Sequence, residues 1–272
     1  MAVDREARYA ELLDDLRAEA AELDALLVGL SPAEWRLDTQ SRGWSIAHQV
    51  GHLELTERLM WTAMTDEPEF RRLAPITRTR PELSAGELAR PDVGVRRLVA
   101  WRDSRTALLG VFAGWPGATR MPWVGPSMSF ASAATSRIME IWAHGEDVYQ
   151  AVGATRAPTR RLRHIAHLAV AARDYSFRNR GLVAPAEPFR VEVQGPDGEV
   201  WSWGPEDAPQ RVTGDAYDVA LLATRRVHRS DSRVVAVGRD AVRWLRTMQA
   251  YAGPPGPRRR PTGVSGGASV VG

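Results

Sequence analysis

The stretch "SRIMEIWAHGEDVYQ", Ser136 to Gln150, decides how the chain folds. Ile138, Ile141, Gly145, Val148 and the following Val152 recur at steps of three and four, the period of an α-helix. Met139, Trp142, Ala143 and Tyr149 carry the apolar character around most of the remaining circumference. A helix that is apolar on nearly every side belongs inside a bundle of helices. Within it, Glu140, His144 and Asp147 make a stripe of their own. A carboxylate buried beside an imidazole costs free energy unless something compensates it.

Upstream, Leu12, Leu13, Leu16, Ala20, Leu23 and Leu27 predict a long amphipathic helix over 4–30. "SPAEW" offers Ser31 as an N-cap with Pro32 at the first helical position, so a short helical turn follows. A second long helix is expected from about Ser45 to Thr65, a third over 93–112, and a fourth, containing the opening stretch, over 129–152. Pro68, Pro75 and Pro81 predict a broken connection over 67–83. A fifth helix is expected from Thr159 to Arg180, ended by Gly181. Helices of this length with short connections read as a bundle.

After "GLVAPAEP" the period changes to two. "FRVEVQGPDGEVWSWG" predicts strand, turn and strand. "TGDAYDVALLATRRV" reads as a helix, "RVVAVG" as a strand, and "DAVRWLRTMQAYAG" as a last helix capped by Asp240. The expected fold class is mainly α with a small α+β domain: a helical bundle over 1–183, an α+β domain over 184–253, and a disordered tail over 254–272.

The composition excludes several functions. There is no cysteine, which removes disulfides, thiolate metal sites and a protein thiol nucleophile; any thiol chemistry needs a cosubstrate. All 36 basic residues are arginine, so Schiff-base catalysis is also removed. The net charge of +3 is carried by Arg258, Arg259 and Arg260, which leaves the rest of the chain neutral and argues against a nucleic-acid partner. No apolar run is long enough to span a bilayer, and "MAVDREARYAELLDDLRAEA" is charged where a signal peptide needs an apolar segment. The expected location is cytoplasmic, the expected partner a small-molecule substrate, and the expected state a monomer or homodimer.

Of the six histidines, His52 stands out. In "SIAHQVGHLELTERLM" it shares a helical stripe with His48, Leu55 and Leu59, next to Val50 and Leu53, so it points towards the bundle interior. Two His and one Glu from two helices make the ligand set of a catalytic divalent-metal site with an open position. The competing reading is a satisfied Glu and His pair on the flank of a helix. His48 has three readings: a fourth ligand, a partner that orients a ligand, or a proton shuttle. His164, His167 and His228 read as surface, packing or loop residues. "MPWVGPSMSF", with Trp123 and Met128, either shapes a substrate pocket or packs.

The sequence resembles the DinB-like metalloproteins, specifically the mycothiol-dependent maleylpyruvate isomerase family. "SPAEW", "GWSIAHQVGHLE" and "MEIWAHGEDVYQAVG" in order, with "VTGDAYDVALLATRR" in the small domain, carry the likeness over residues 5–253. The resemblance implies an N-terminal four-helix bundle of up-down-down-up type and a divalent ion held by His52, Glu140 and His144. Zinc is its first choice, with nickel or iron as the alternatives. It implies mycothiol as thiol cosubstrate and a thiol-dependent isomerase or S-transferase acting on a small electrophile. It also implies an Arg in the small domain that pairs with an anionic substrate, for which Arg226 is the first candidate and Arg225 the second. The chain departs from the family at His48, where the family commonly carries an acidic residue, which alters the charge of the site; His48 and Arg226 are the two candidate catalytic residues. Two alternatives stand against this: a thiol-independent metalloenzyme on the same scaffold, and a non-catalytic protein that binds a metal or small ligand.

Overall fold

The computed structural model describes residues 2–79, 94–124, 127–254 and 259–262. The chain forms two compact units, Met1–Ala157 and Pro158–Gly272.

The first unit contains α1 (Ala2–Val28), a 3-10 turn (Glu34–Arg36), α2 (Ile46–Thr65), α3 (Glu67–Thr79), α4 (Val95–Gly114) and α5 (Phe130–Ala151). A two-stranded ribbon, β1 (Arg120–Met121) and β2 (Met128–Ser129), precedes α5. Both α1 and α2 pack against both α4 and α5, so the ring order is α1, α4, α2, α5. Consecutive helices α1 and α2 therefore face each other across the bundle, and the 29–45 connection spans that diagonal. All six residues of the α1 stripe, from Leu12 to Leu27, are buried, as their period requires. Ser31 does cap its turn: its backbone N donates to Glu34 Oε2 at 2.7 Å, and Glu34 N donates back to Ser31 Oγ at 3.3 Å. On α5, Ile138, Ile141 and Val148 are fully buried, and Gly145 admits the side chains of Leu23 and Arg156 close to its backbone.

Residues 67–79 form a helix, where their prolines predicted a broken connection. Pro68 sits in the first turn, where no intrahelical partner awaits its missing N–H. Glu69 N donates to Asp66 Oδ1 at 3.1 Å, Arg71 and Arg72 pair with Glu67 and Glu69, and Phe70 is buried. Pro75 lies inside the helix, which runs on to Thr79.

The second unit begins with α6 (Leu162–Ala171) and α7 (Arg173–Arg178). The expected single helix over 159–180 breaks at Ala172, whose φ, ψ of −88°, 7° are off-helical, and Gly181 at φ 67° ends α7. The buried face of α6, with Ile165, Ala166 and Ala169, packs on α8 (Ala216–Ala223). The units divide at 157/158, so the helices expected to belong to the bundle up to residue 183 fall in the second unit instead.

That sheet has strand order β4, β3, β5, β6, with β3 (Phe189–Gln194), β4 (Val200–Trp203), β5 (Gln210–Asp215) and β6 (Val235–Val237). The β3 strand pairs antiparallel with β4 and parallel with β5, and β6 pairs antiparallel with β5. The β5 strand was not expected, because "TGD" read as the start of α8; Asp215 ends the strand and caps that helix, accepting from Tyr217 N at 2.8 Å. The last helix, α9 (Arg239–Thr247), is not capped by Asp240. Gln210 of β5 accepts from Asp240 N and Ala241 N at 3.1 and 3.0 Å instead, with Gly238 at φ 96° before the first turn. Phe189 and Trp244 meet edge to face in the core of this unit. Most of the tail expected to be disordered lies outside the described residues; of the described part, Thr262 N donates to Asp231 Oδ2 at 2.8 Å.

Candidate metal centre

His52 comes from the middle of α2, and Glu140 and His144 from one turn of α5, the helix beside α2 in the ring. The i, i+4 spacing on α5 stacks its two side chains on one face. One ligand atom from each of the three residues lies within 4.8 Å of the others. Glu140 Oε2 is 3.2 Å from His144 Nε2 and 3.6 Å from His52 Nε2, and the two imidazole centroids are 4.5 Å apart. The three side chains are between 11% and 19% exposed, so the cluster is enclosed but reachable.

Neighbouring groups fix how each side chain is presented. Glu140 turns its other oxygen, Oε1, towards Arg137 Nη2 at 4.0 Å, and Arg137 is itself held by a donation from Nη1 to Thr56 Oγ1 at 2.7 Å. His144 Nδ1 lies 2.5 Å from Gln49 Oε1. Trp44 covers the pair, stacked on His144 at 5.9 Å and tilted against His52 at 5.4 Å. His52 Nδ1 is buried without a hydrogen-bond partner among the described residues.

Burial alone pushes the Glu140 carboxyl up. Hydrogen bonds to His144 and His52, and the charges of Arg137 and His144, outweigh it and hold the group well below the usual carboxylate range. Two imidazole nitrogens converge with that carboxylate oxygen. A single proton satisfies one of these contacts, whereas a divalent cation satisfies all three, and the N, N, O donor set suits one. The residues present fit a metal ion.

The other expected residues fall elsewhere. His48 closes a capping box at the start of α2: Ser45 N donates to His48 Nδ1 at 3.1 Å, and the Ser45 hydroxyl is 2.7 Å from the same nitrogen. Burial, then the charge of Arg97, lowers the His48 pKa, which agrees with an accepting Nδ1. Asp147 is fully buried and accepts from Ser41 Oγ at 3.0 Å, outside the three-residue group. Arg226 belongs to the second unit, where it donates to Thr224 O at 2.8 Å. Arg226 N donates to Leu221 O and Arg225 N to Leu222 O, the double bond that closes a helix C-terminus, with Arg225 in the left-handed region at φ 62°. His228 caps a short 3-10 turn, accepting from Ser230 N at 3.2 Å.

Sequence reasoning missed Gln49 and Trp44, although both lie in "GWSIAHQVGHLE". The available signal was a polar Gln three residues before His52, on a helix face shared with core residues.

A helical bundle that brings His, Glu and His together inside, accompanied by a small α+β unit, defines a two-unit protein with a candidate metal centre. It belongs to the mycothiol-dependent maleylpyruvate isomerase family. The model of the mycothiol maleylpyruvate isomerase N-terminal domain matches residues 16–149, and a model described as wyosine base formation matches 185–237. Two uncharacterized proteins of Mycobacterium tuberculosis, from strains CDC 1551 / Oshkosh and ATCC 25618 / H37Rv, are each 49% identical over 246 residues, 89% of this chain and 95% of theirs. Two crystal structures of the mycothiol-dependent maleylpyruvate isomerase, one of a point mutant, share the fold at TM-scores of 0.57 and 0.55. They are 17% and 20% identical, with 84% of this chain and 92% of each structure covered. Among the described residues no helix is long and apolar enough to cross a membrane.

Proposed function

We propose that this chain is a divalent-metal-dependent enzyme that uses a low-molecular-weight thiol, mycothiol, as an isomerase or S-transferase acting on a small electrophile. The observation that carries the reading is the convergence of the His52, Glu140 and His144 ligand atoms within 4.8 Å inside the bundle. Three protein ligands leave a fourth position for an exogenous group. Zinc is the ion proposed. When bound, such an ion favours thiolate over thiol, which supplies at neutral pH the nucleophile that a chain without cysteine lacks.

The chain's own residues then have separable tasks. His52, Glu140 and His144 hold the ion, Arg137 restrains the free Glu140 oxygen, and Trp44 walls one side of the imidazoles. With Nδ1 of His48 accepting from Ser45, Nε2 carries that ring's proton and is the proposed proton-handling atom. Arg226 is the proposed partner of an anionic substrate, because a guanidinium grips a carboxylate with two parallel bonds.

Elemental analysis followed by calorimetric titration with mycothiol tests this reading. Stoichiometric divalent metal and thiol binding that disappears on chelation are expected. Protein that takes up no metal on zinc reconstitution would overturn it. Metal-loaded protein that ignores thiols would leave the thiol-independent metalloenzyme in its place.

A further inference from the structure

Gln49 is completely buried on α2, and a buried amide has to satisfy both its donor and its acceptor. It does so along one directed chain. The Thr39 hydroxyl donates to the Trp44 carbonyl at 2.8 Å, so Thr39 Oγ1 is left to accept, and Gln49 Nε2 donates to it at 2.8 Å. With its amino group committed, Gln49 turns Oε1 to His144 Nδ1 at 2.5 Å. An amide oxygen only accepts, so Nδ1 must carry a proton there, and the other ring nitrogen, Nε2, faces Glu140.

We infer that Gln49 is a positioning residue for the metal site, holding His144 in the one tautomer and ring orientation that present Nε2 to an ion. The inference rests on the metal reading above. The same chain ends on the backbone of Trp44, whose indole covers both imidazoles. The 37–45 loop is tied to α5 a second time, by Ser41 Oγ to Asp147 one turn beyond His144. One relay thus sets the ligand's tautomer and anchors the aromatic wall beside it. His52 has no counterpart to this support, since its Nδ1 has no partner among the described residues. Gln49 acts on one imidazole of the two.

The test compares Gln49→Met, which removes the acceptor at similar length, with Gln49→Glu, which keeps an acceptor oxygen. Zinc affinity is read by competition with a chromogenic chelator, the ligand field by the visible spectrum of the cobalt(II)-loaded protein, and folding by circular dichroism of the metal-free form. Gln49→Met is expected to bind zinc about 10- to 100-fold more weakly, with an altered cobalt spectrum, while Gln49→Glu binds as tightly as wild type or tighter. A purely packing role would not be rescued by Glu and would leave the cobalt spectrum alone. If Gln49→Met fails to fold, Thr39→Val, which frees the amide to rotate, is expected to weaken zinc in the same direction. Wild-type affinity and spectrum in the folded Met variant, or in Thr39→Val where that replaces it, would overturn this inference alone. A wild type that binds no metal would overturn the functional reading and this one with it.

Discussion

Arg137 approaches Glu140 at Oε1, 4.0 Å away, the oxygen that the two histidines do not use. The carboxylate is thereby divided, with Oε2 for the imidazole side and Oε1 for the guanidinium, a geometry suited to a single-oxygen ligand. Glu140→Gln keeps the shape and removes the charge. We expect the purified variant to hold substoichiometric metal and to remain so after zinc reconstitution, measured by elemental analysis, with the helical content unchanged.

Glu57 is the second buried carboxylate near Arg137. Burial pushes its pKa up to about 7, against the pull of Arg137, Trp101, Arg105 and Ser104. The folded state thus binds the Glu57 proton more tightly than the unfolded state does. Its contribution to stability is complete below the unfolded carboxyl value of 4.5 and is lost as pH rises to about 7. The linked change is on the order of 3 kcal/mol. Glu57→Gln should flatten the fall in stability across that window and unfold at higher urea than wild type at mildly alkaline pH. A wild-type curve that does not decline across the window would contradict this.

Arg156 enters the bundle beside Gly145 and pairs with Glu19 and Glu22 of α1 while donating to Trp142 O at 2.9 Å. Glu19 is wholly buried, so Arg156→Met strands a charge in the core. The expected loss is about 3–5 kcal/mol by chemical denaturation, with partial recovery in the double variant Arg156→Met, Glu19→Gln.

His48 has a structural task in its contact with Ser45 and a proposed chemical one at Nε2. His48→Asn shortens the side chain but keeps a capping amide, and should cost no more than about 1 kcal/mol of stability. If the ring also handles protons, turnover falls far more than the melting temperature does, and the pH profile of kcat loses a limb. Parallel small losses in both would confine His48 to the cap.

The bundle was legible because α1 and α5 state their burial at helical period, Leu12 to Leu27 on one and Ile138 to Val148 on the other. The candidate triad was legible for the same reason, since polar residues aligned with a core stripe stand out against it. Gln49 and Trp44 were not, because their roles depend on the path of the 37–45 loop, and periodicity does not predict where a loop lies. Local rules also lost to distant contacts. Gln210 takes the capping place expected of Asp240, and α6, packed on α8, falls beyond the division between units at 157/158. In 67–79 the prolines signalled a break, but Pro68 falls in the first turn, where it is tolerated, and the buried Phe70 ties the segment to the core.

The ring order α1, α4, α2, α5 has an entropic consequence. His52 and Glu140 stand on helices that touch in space but are separated along the chain by α3 and α4. The three donors meet only when α2 and α5 do, which closes a long loop of chain containing α3 and α4 and carries the entropic cost of a non-local contact. An ion held there acts as a clasp on the finished bundle. It joins the first half of the unit to the last and stabilises it in proportion to the logarithm of free metal.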